Sequence, residues 1–158
     1  MFVRLALESD FDEIVAMAHE NIESTRPDME WDEDKCRATL YSYIDSASPT
    51  FFVVEHERKV IAFMVADMAD YRAASGLYTI QEVLFVLPAY RGTRAALILM
   101  KHFIAWSERL GAKEIIGGVD NEFQPERTAK FLEHLGFKRV GYAMRRVLAN
   151  GRQQERSQ

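Results

Sequence analysis

Apolar residues recur along this chain in two rhythms. Val3, Leu5 and Leu7 alternate with Arg4 and Ala6, the two-residue period of a strand. From Ser9 or Asp10, either of which can cap a helix, the spacing changes. Phe11, Ile14, Val15, Ala18 and Ile22 then share one face of a helix that Pro27 ends. A second helix is expected from near Trp31, presenting Cys36, Leu40, Tyr43 and Ile44 to a core. After Pro49 the pattern turns to β. "TFFVVE" and "VIAFMVADM", joined by His56 to Lys59, read as a hairpin, and "LYTIQEVLFVLP", apolar almost throughout, as a central strand. A helix from Thr93 to Leu110 stops at Gly111. "KEIIGGV" gives a further strand, Pro125 and Gly136 bound another helix, and "KRVGYAMRRVL" is the last strand. Residues 1–148 are expected to form one domain, with 149–158 a frayed tail that has no apolar content to bury.

Composition narrows the class. With 158 residues, 48% hydrophobic and 28% charged, the chain is expected to bury a core of its own. A single cysteine, Cys36, excludes an internal disulfide and points to a reducing, cytoplasmic setting, with Cys36 itself a small core residue. No early apolar run has signal-peptide length and none approaches a membrane span, so no membrane partner is expected. His19, His56, His102 and His134 show no ligand spacing, so no metal is expected. Charge is uneven: residues 1–35 hold eleven acids against Arg4, Arg26 and Lys35, whereas from residue 86 onward thirteen Lys/Arg face seven Asp/Glu. Two partners of opposite sign would suit that division, although each charge taken singly reads as a solvated helix face. A sequence pI near 5.6 and the lack of basic-aromatic interleaving argue against a nucleic-acid partner.

Candidate chemistry concentrates at "FVLPAYRGTRAALILMKHF", residues 85–103. A strand running straight into a helix leaves up to four amides unpaired at the positive end of the helix dipole, a setting that favours an anion. Gly92 keeps the backbone bare there, Thr93 can cap, Ala95 and Ala96 keep the first turn thin, and Arg91 and Arg94 add charge. Neither the Gly-x-x-x-x-Gly-Lys-Ser/Thr loop nor the Gly-x-Gly-x-x-Gly fingerprint is present, which excludes two familiar phosphate cradles.

Two stretches carry a family resemblance. "VLPAYRGTRAALILMKHFIAWSERLGAKEI" resembles the acyl-CoA-binding segment of the GNAT N-acetyltransferase superfamily, and "TAKFLEHLGFKRVGYAMR" resembles that family's closing helix, Leu-Gly-Phe turn and final strand. The order of elements agrees across nearly the whole chain. The resemblance implies a mixed α/β fold with a central, mostly antiparallel sheet of about six or seven strands and about four helices. It also implies acetyl-CoA as co-substrate and transfer to a primary amine. The family's Arg/Gln-x-x-Gly-x-Gly/Ala turn falls on Arg91, Gly92, Thr93, Arg94, Ala95 and Ala96, whose amides would hold the CoA pyrophosphate. Pantetheine would pair with the central strand near Phe85 and Val86, in an opening beside "KEIIGGV", and Asn121 would be a further CoA contact. The chain departs from the pattern in three places. Arg94 replaces the inner glycine, Leu132 stands where many members have a tyrosine acid, and the segment from Asn121 to Gly136 is long. Many relatives pair, so a homodimer is an open alternative.

The chemistry adds its own demands. An alkyl ammonium, with a pKa near 10, must lose a proton before attacking a thioester. Glu82, the one acid in "YTIQEVLFVLP", is the candidate catalytic base; four residues from Val86, it should share that residue's face and be partly desolvated, which would raise its pKa. A backbone amide near Val86 or Leu87 would hold the oxyanion. Tyr90 and Tyr142 are spare tyrosines that could serve the leaving thiolate. The acidic run "DMEWDEDK" would attract a cationic amine, whether small molecule or peptide. The alternative is a catalytically weak acyl-CoA-binding regulatory module, to which Arg94 and Leu132 lend weight.

Overall fold

The computed structural model describes residues 1–118 and 122–148; Asn121 and the expected tail at 149–158 lie outside the described residues. In chain order the elements are β1 (Phe2–Leu5), α1 (Phe11–Thr25), α2 (Glu33–Tyr43), β2 (Thr50–His56), β3 (Lys59–Asp70), β4 (Leu77–Val86), α3 (Ala95–Arg109), β5 (Ile115–Ile116) and α4 (Pro125–His134). The strands lie in the order β1-β2-β3-β4-β5, antiparallel except for the parallel pair β4–β5.

Pleating sends alternate residues of the sheet into two cores. Phe51, Val53, Phe63, Val65 and Phe85 face α1 and α2, where Ile14, Val15, Met17 and Leu40 cover them. Phe52, Val54, Ala62, Met64 and Val86 face the other way, beneath Leu99, Met100 and Phe103 of α3 and Leu132 of α4. Cys36 packs at the edge of the first core, as its helical spacing predicts, and burial pushes its thiol up. Helix α2 begins at Glu33, two residues later than expected, because the Asp32 carboxylate accepts the Lys35 amide at 2.9 Å and so fixes the start.

The first strand keeps its expected face at Val3, which packs against the α3-side core, but departs from it afterwards. Leu5 and Leu7 are 57% and 55% exposed, while Ala6 is buried and Arg4 turns inward. The cause is an ion-pair cluster. Arg4 donates to the Asp10 carboxylate at 2.7 and 2.9 Å and to Glu55 at 2.8 Å. Asp10 also accepts the Leu7 amide at 2.8 Å, so it ties down the short 3-10 turn before α1 rather than capping α1 itself.

The sheet holds five strands among the described residues, fewer than the six or seven expected. β5 is only two residues long, and residues 138–148 join no ladder. Arg139 is drawn instead onto the outer face of α4, bonding Glu133 at 2.7 Å and Glu126 at 3.0 and 3.1 Å.

The Arg4–Asp10 pair generates a stability prediction. Burial would raise the Asp10 carboxyl, but the Arg4 and Leu7 donors outweigh it and hold it below its ordinary value. A depressed carboxyl adds stability above its unfolded value near 3.9, and that gain disappears as pH falls through the lower folded value. Asp10→Asn should therefore cost about 1–3 kcal/mol in urea unfolding at pH 7. The gap between variant and wild type should narrow as pH falls below the unfolded value near 3.9 and through the lower folded one.

Candidate functional site

The site grows from one irregularity in β4. Val65 pairs with Val83 but Ala66 pairs with Gln81, so Glu82 is an extra residue, a β-bulge. The bulge resets the alternation of faces. Leu84 and Val86 face α3, and so does Thr79 beyond the bulge, where its hydroxyl meets Ser107 at 2.7 Å. The shift falls at Glu82 itself, between the Val65–Val83 and Ala66–Gln81 pairs. Glu82 is also exposed, not partly buried as expected, because a bulged residue stands clear of the ladder.

Past the bulge, β4 has no second neighbour among the described residues. Its pairing with β5 covers only Thr79–Ile115 and Ile80–Ile116. On the β3 side the Leu87 amide donates to Ile61 O at 3.0 Å. Alternation along an antiparallel ladder then turns the main-chain groups of Leu84 and Val86 to the open edge. Arg91 confirms the direction, since its Nε donates to Val86 O at 3.1 Å. Leu87 is thereby removed as an oxyanion donor, and Val86 is the one of the two whose amide faces the opening. The adjacent Gln81 Oε1 is buried without a donor among the described residues.

The strand leads through Pro88–Tyr90, a 3-10 turn, into α3. Gly92 has φ +85°, and an added Cβ would meet nothing within 4 Å. Glycine is needed for the left-handed backbone, not to avoid a protein neighbour. Thr93 folds back to donate from its hydroxyl to Tyr90 O at 2.6 Å, and Thr93 Oγ1 accepts the Ala95 amide at 3.3 Å. Among the described residues, the amides of Gly92, Arg94, Ala96 and Leu97 have no protein acceptor. These are the orphan donors expected where a helix begins.

The open edge and the helix start border one cleft of about 480 Å³. Glu82, Phe85, Val86, Arg91, Gly92, Thr93 and Ala96 line it; Ala95 is buried beneath and Arg94 points to solvent. Three arginines, Arg26, Arg91 and Arg127, stand around it against one carboxylate, Glu82, so the lining favours an anion. Sequence reasoning missed Arg26, Phe123 and Arg127. The first ends α1 and the others open α4, and no local pattern marks them. The Arg91 guanidinium lies 5.5 Å from the Phe85 ring and 5.2 Å from that of Phe123, bridging the mouth. Leu132 reaches the cleft as a buried apolar wall. Tyr90 lines it, whereas Tyr142 is fully exposed in the C-terminal segment. The acidic run borders a separate apolar groove between α1 and α2, where Trp31 stacks on His19.

The sequence model of the Acetyltransferase (GNAT) family matches residues 12–137. The chain belongs to the GNAT acetyltransferase family. Solved structures agree on the GNAT fold, at identities that speak to fold alone. A transcriptional regulator from Bacillus halodurans superposes with a TM-score of 0.79 at 16% identity, covering 92% of this chain and 98% of that one. An aminoglycoside N-acetyltransferase solved in complex with CoA gives 0.74 at 17%, covering 93% of each chain. An acetyltransferase of Trypanosoma brucei gives 0.75 at 19%, covering 92% and 98%. No curated protein matches. As in the expected GNAT architecture, the sheet is mixed and four α-helices flank it. Among the described residues no helix is long and apolar enough to cross a membrane, and no cluster of His, Cys, Asp or Glu could hold a metal ion.

The turn itself can be tested without a ligand. Gly92→Ala forces a Cβ into left-handed backbone and should cost about 1–2 kcal/mol, lowering the melting temperature by roughly 2–8 °C. Gly118→Ala, at an ordinary φ with open space around it, should stay within about 0.5 kcal/mol of wild type.

Proposed function

We propose that this chain is an N-acetyltransferase that moves the acetyl group of acetyl-CoA to a primary amine of a small molecule or peptide. One observation carries the reading: among the described residues, main-chain groups of β4 with no strand partner and unpaired amides at the start of α3 open onto the same cationic cleft. A long anionic thioester needs both. The pyrophosphate would sit on the amides between Gly92 and Ala96, with Arg94 free to swing onto a phosphate. Pantetheine would run along Leu84 to Val86, where β5 would lie in a closed sheet. Arg91 now bonds Val86 O, an acceptor that an arm amide needs, so binding exchanges that bond for a phosphate contact. Asn121 is retained as a CoA contact on the family motif. The reading places the protein in the cytoplasm, with residues 1–148 as its one domain.

The chemistry is direct attack. Glu82, at the cleft wall near the C-terminal end of α1, takes the ammonium proton directly or through water. The nitrogen then attacks the thioester carbonyl, and the Val86 N–H faces the oxygen as charge develops on it. The tetrahedral adduct collapses with loss of the CoA thiolate. Leu132 offers no proton, so thiolate leaves as the anion or takes its proton from water or Tyr90. The acidic residues of the α1–α2 loop stand outside the cleft and act on a cationic amine only at long range.

A non-catalytic acyl-CoA-binding module is the second reading, favoured by Leu132 at the acid's place. Mass spectrometry of an amine panel with acetyl-CoA separates the two. The transferase reading expects acetylated product, and a Glu82→Gln variant whose kcat falls about 100-fold or more while CoA affinity is kept. Binding without turnover on any amine, together with no effect of Glu82→Gln, would leave the module.

A further inference from the structure

One polar side chain beside the bulge has no part in the chemistry above. Gln81 pairs with Ala66, which is buried in the core beneath α3 and α4, and paired residues of an antiparallel ladder point to the same face. The Gln81 carboxamide therefore enters the cleft from the α4 side. Its Oε1 is sealed from solvent and has no donor among the described residues. A Cβ added at Gly117 would lie 3.2 Å from that oxygen and 3.4 Å from the Phe137 ring, so both groups pack against bare backbone. The Phe137 amide in turn donates to Leu132 O at 3.1 Å, which brings the end of α4 to the same point.

A buried acceptor without a donor is destabilising, and native structures keep few of them. Here it sets the direction of the amide. With Oε1 turned in against Gly117, the two Nε2 hydrogens are the end left to the cleft. The wall that α4 contributes around them is apolar, built from Phe131 and Leu132. A neutral donor in an apolar wall suits a negative charge that forms there only in passing.

We propose that Gln81 is a catalytic residue of the transfer step, donating from Nε2 to the sulfur of the departing CoA thiolate. The proposal rests on the transferase reading. As the tetrahedral adduct collapses, the carbonyl re-forms, the C–S bond breaks and its electron pair stays on sulfur. That charge appears beside Leu132, which has no hydrogen to donate, and an apolar setting disfavours a thiolate. One hydrogen bond from Nε2 offsets the penalty. Gln81 keeps its own protons throughout, and the thiolate takes a proton from water afterwards. Thioester sulfur is a weak acceptor and thiolate a strong one, so the bond strengthens as the C–S bond breaks and acts on rate more than on binding.

The test uses the full chain with CoA itself and needs no acceptor amine. The bound thiol is titrated by its ultraviolet thiolate absorbance, as a difference from the protein without CoA so that Cys36 cancels. Gln81→Leu should raise the pKa of the bound thiol by about 1 or more relative to wild type. Gln81→Glu, of nearly the same shape but negatively charged, should raise it further. Gln81→Leu should melt no lower than wild type, because the orphan oxygen is gone. With an amine that is acetylated, its kcat should fall about 10–100-fold while KM for acetyl-CoA is kept. An unchanged thiol pKa in Gln81→Leu with CoA still bound would overturn this proposal and leave the transferase reading standing. Wild type that binds no CoA would overturn both.

Discussion

Everything this molecule offers a ligand depends on β4 having a partner on one edge and losing it on the other. Up to Ile80 the strand is held between β3 and β5; the Glu82 bulge then interrupts it, and among the described residues β5 pairs with it no further. The main-chain groups of Leu84 and Val86 are left facing a cleft. Unpaired backbone groups inside a protein are costly, and they are tolerated where something else pairs with them. An arm with amides of its own can take the place that β5 vacates. The bulge also determines where Glu82 stands, clear of the ladder and on the cleft wall, so one extra residue sets both the opening and the candidate base.

Electrostatics selects what enters. The start of α3 directs the amides of Gly92, Arg94, Ala96 and Leu97 outward at the positive end of its dipole. Arg26, Arg91 and Arg127 reinforce that sign around the cleft. The C-terminal end of α1 borders the cleft without bringing an acid to its lining, and the acidic run at 28–35 rims a separate groove, so the sequence's division of charge appears in space. Rigidity comes from elsewhere. The buried Thr79–Ser107 contact pins α3 to β4, and the Arg4–Asp10–Glu55 cluster locks the first strand to the start of α1.

Much of this was legible in the residue pattern, for local reasons. Helices α1, α3 and α4 follow from apolar spacing with Gly and Pro boundaries, and the hairpin of β2 and β3 from two β-rich runs around His56 to Lys59. The turn at Arg91 to Ala96 was legible because strand, glycine and helix follow one another without interruption. What stayed hidden was relational. Alternation predicted inward-facing Leu5 and Leu7, but Asp10 and Glu55, the latter distant in sequence, draw Arg4 inward, and both leucines stand exposed. The exposure of Glu82 stayed hidden as well, because a bulge is a property of two strands, not one. The same holds for Arg26, Phe123 and Arg127, which reach the cleft only through tertiary packing. The strand expected at 138–148 is not formed: alternation there was real, but the Arg139 bonds to Glu126 and Glu133 are tertiary and spacing does not show them.

The central claim is that orphan amides at one strand-to-helix joint grip an acyl-CoA, and nitrogen-resolved NMR reads those amides one by one. Titration with CoA should move the resonances of Gly92, Arg94, Ala96 and Val86 first and furthest, saturating together with one dissociation constant. Shifts confined to other regions, or none at millimolar CoA, would contradict the account.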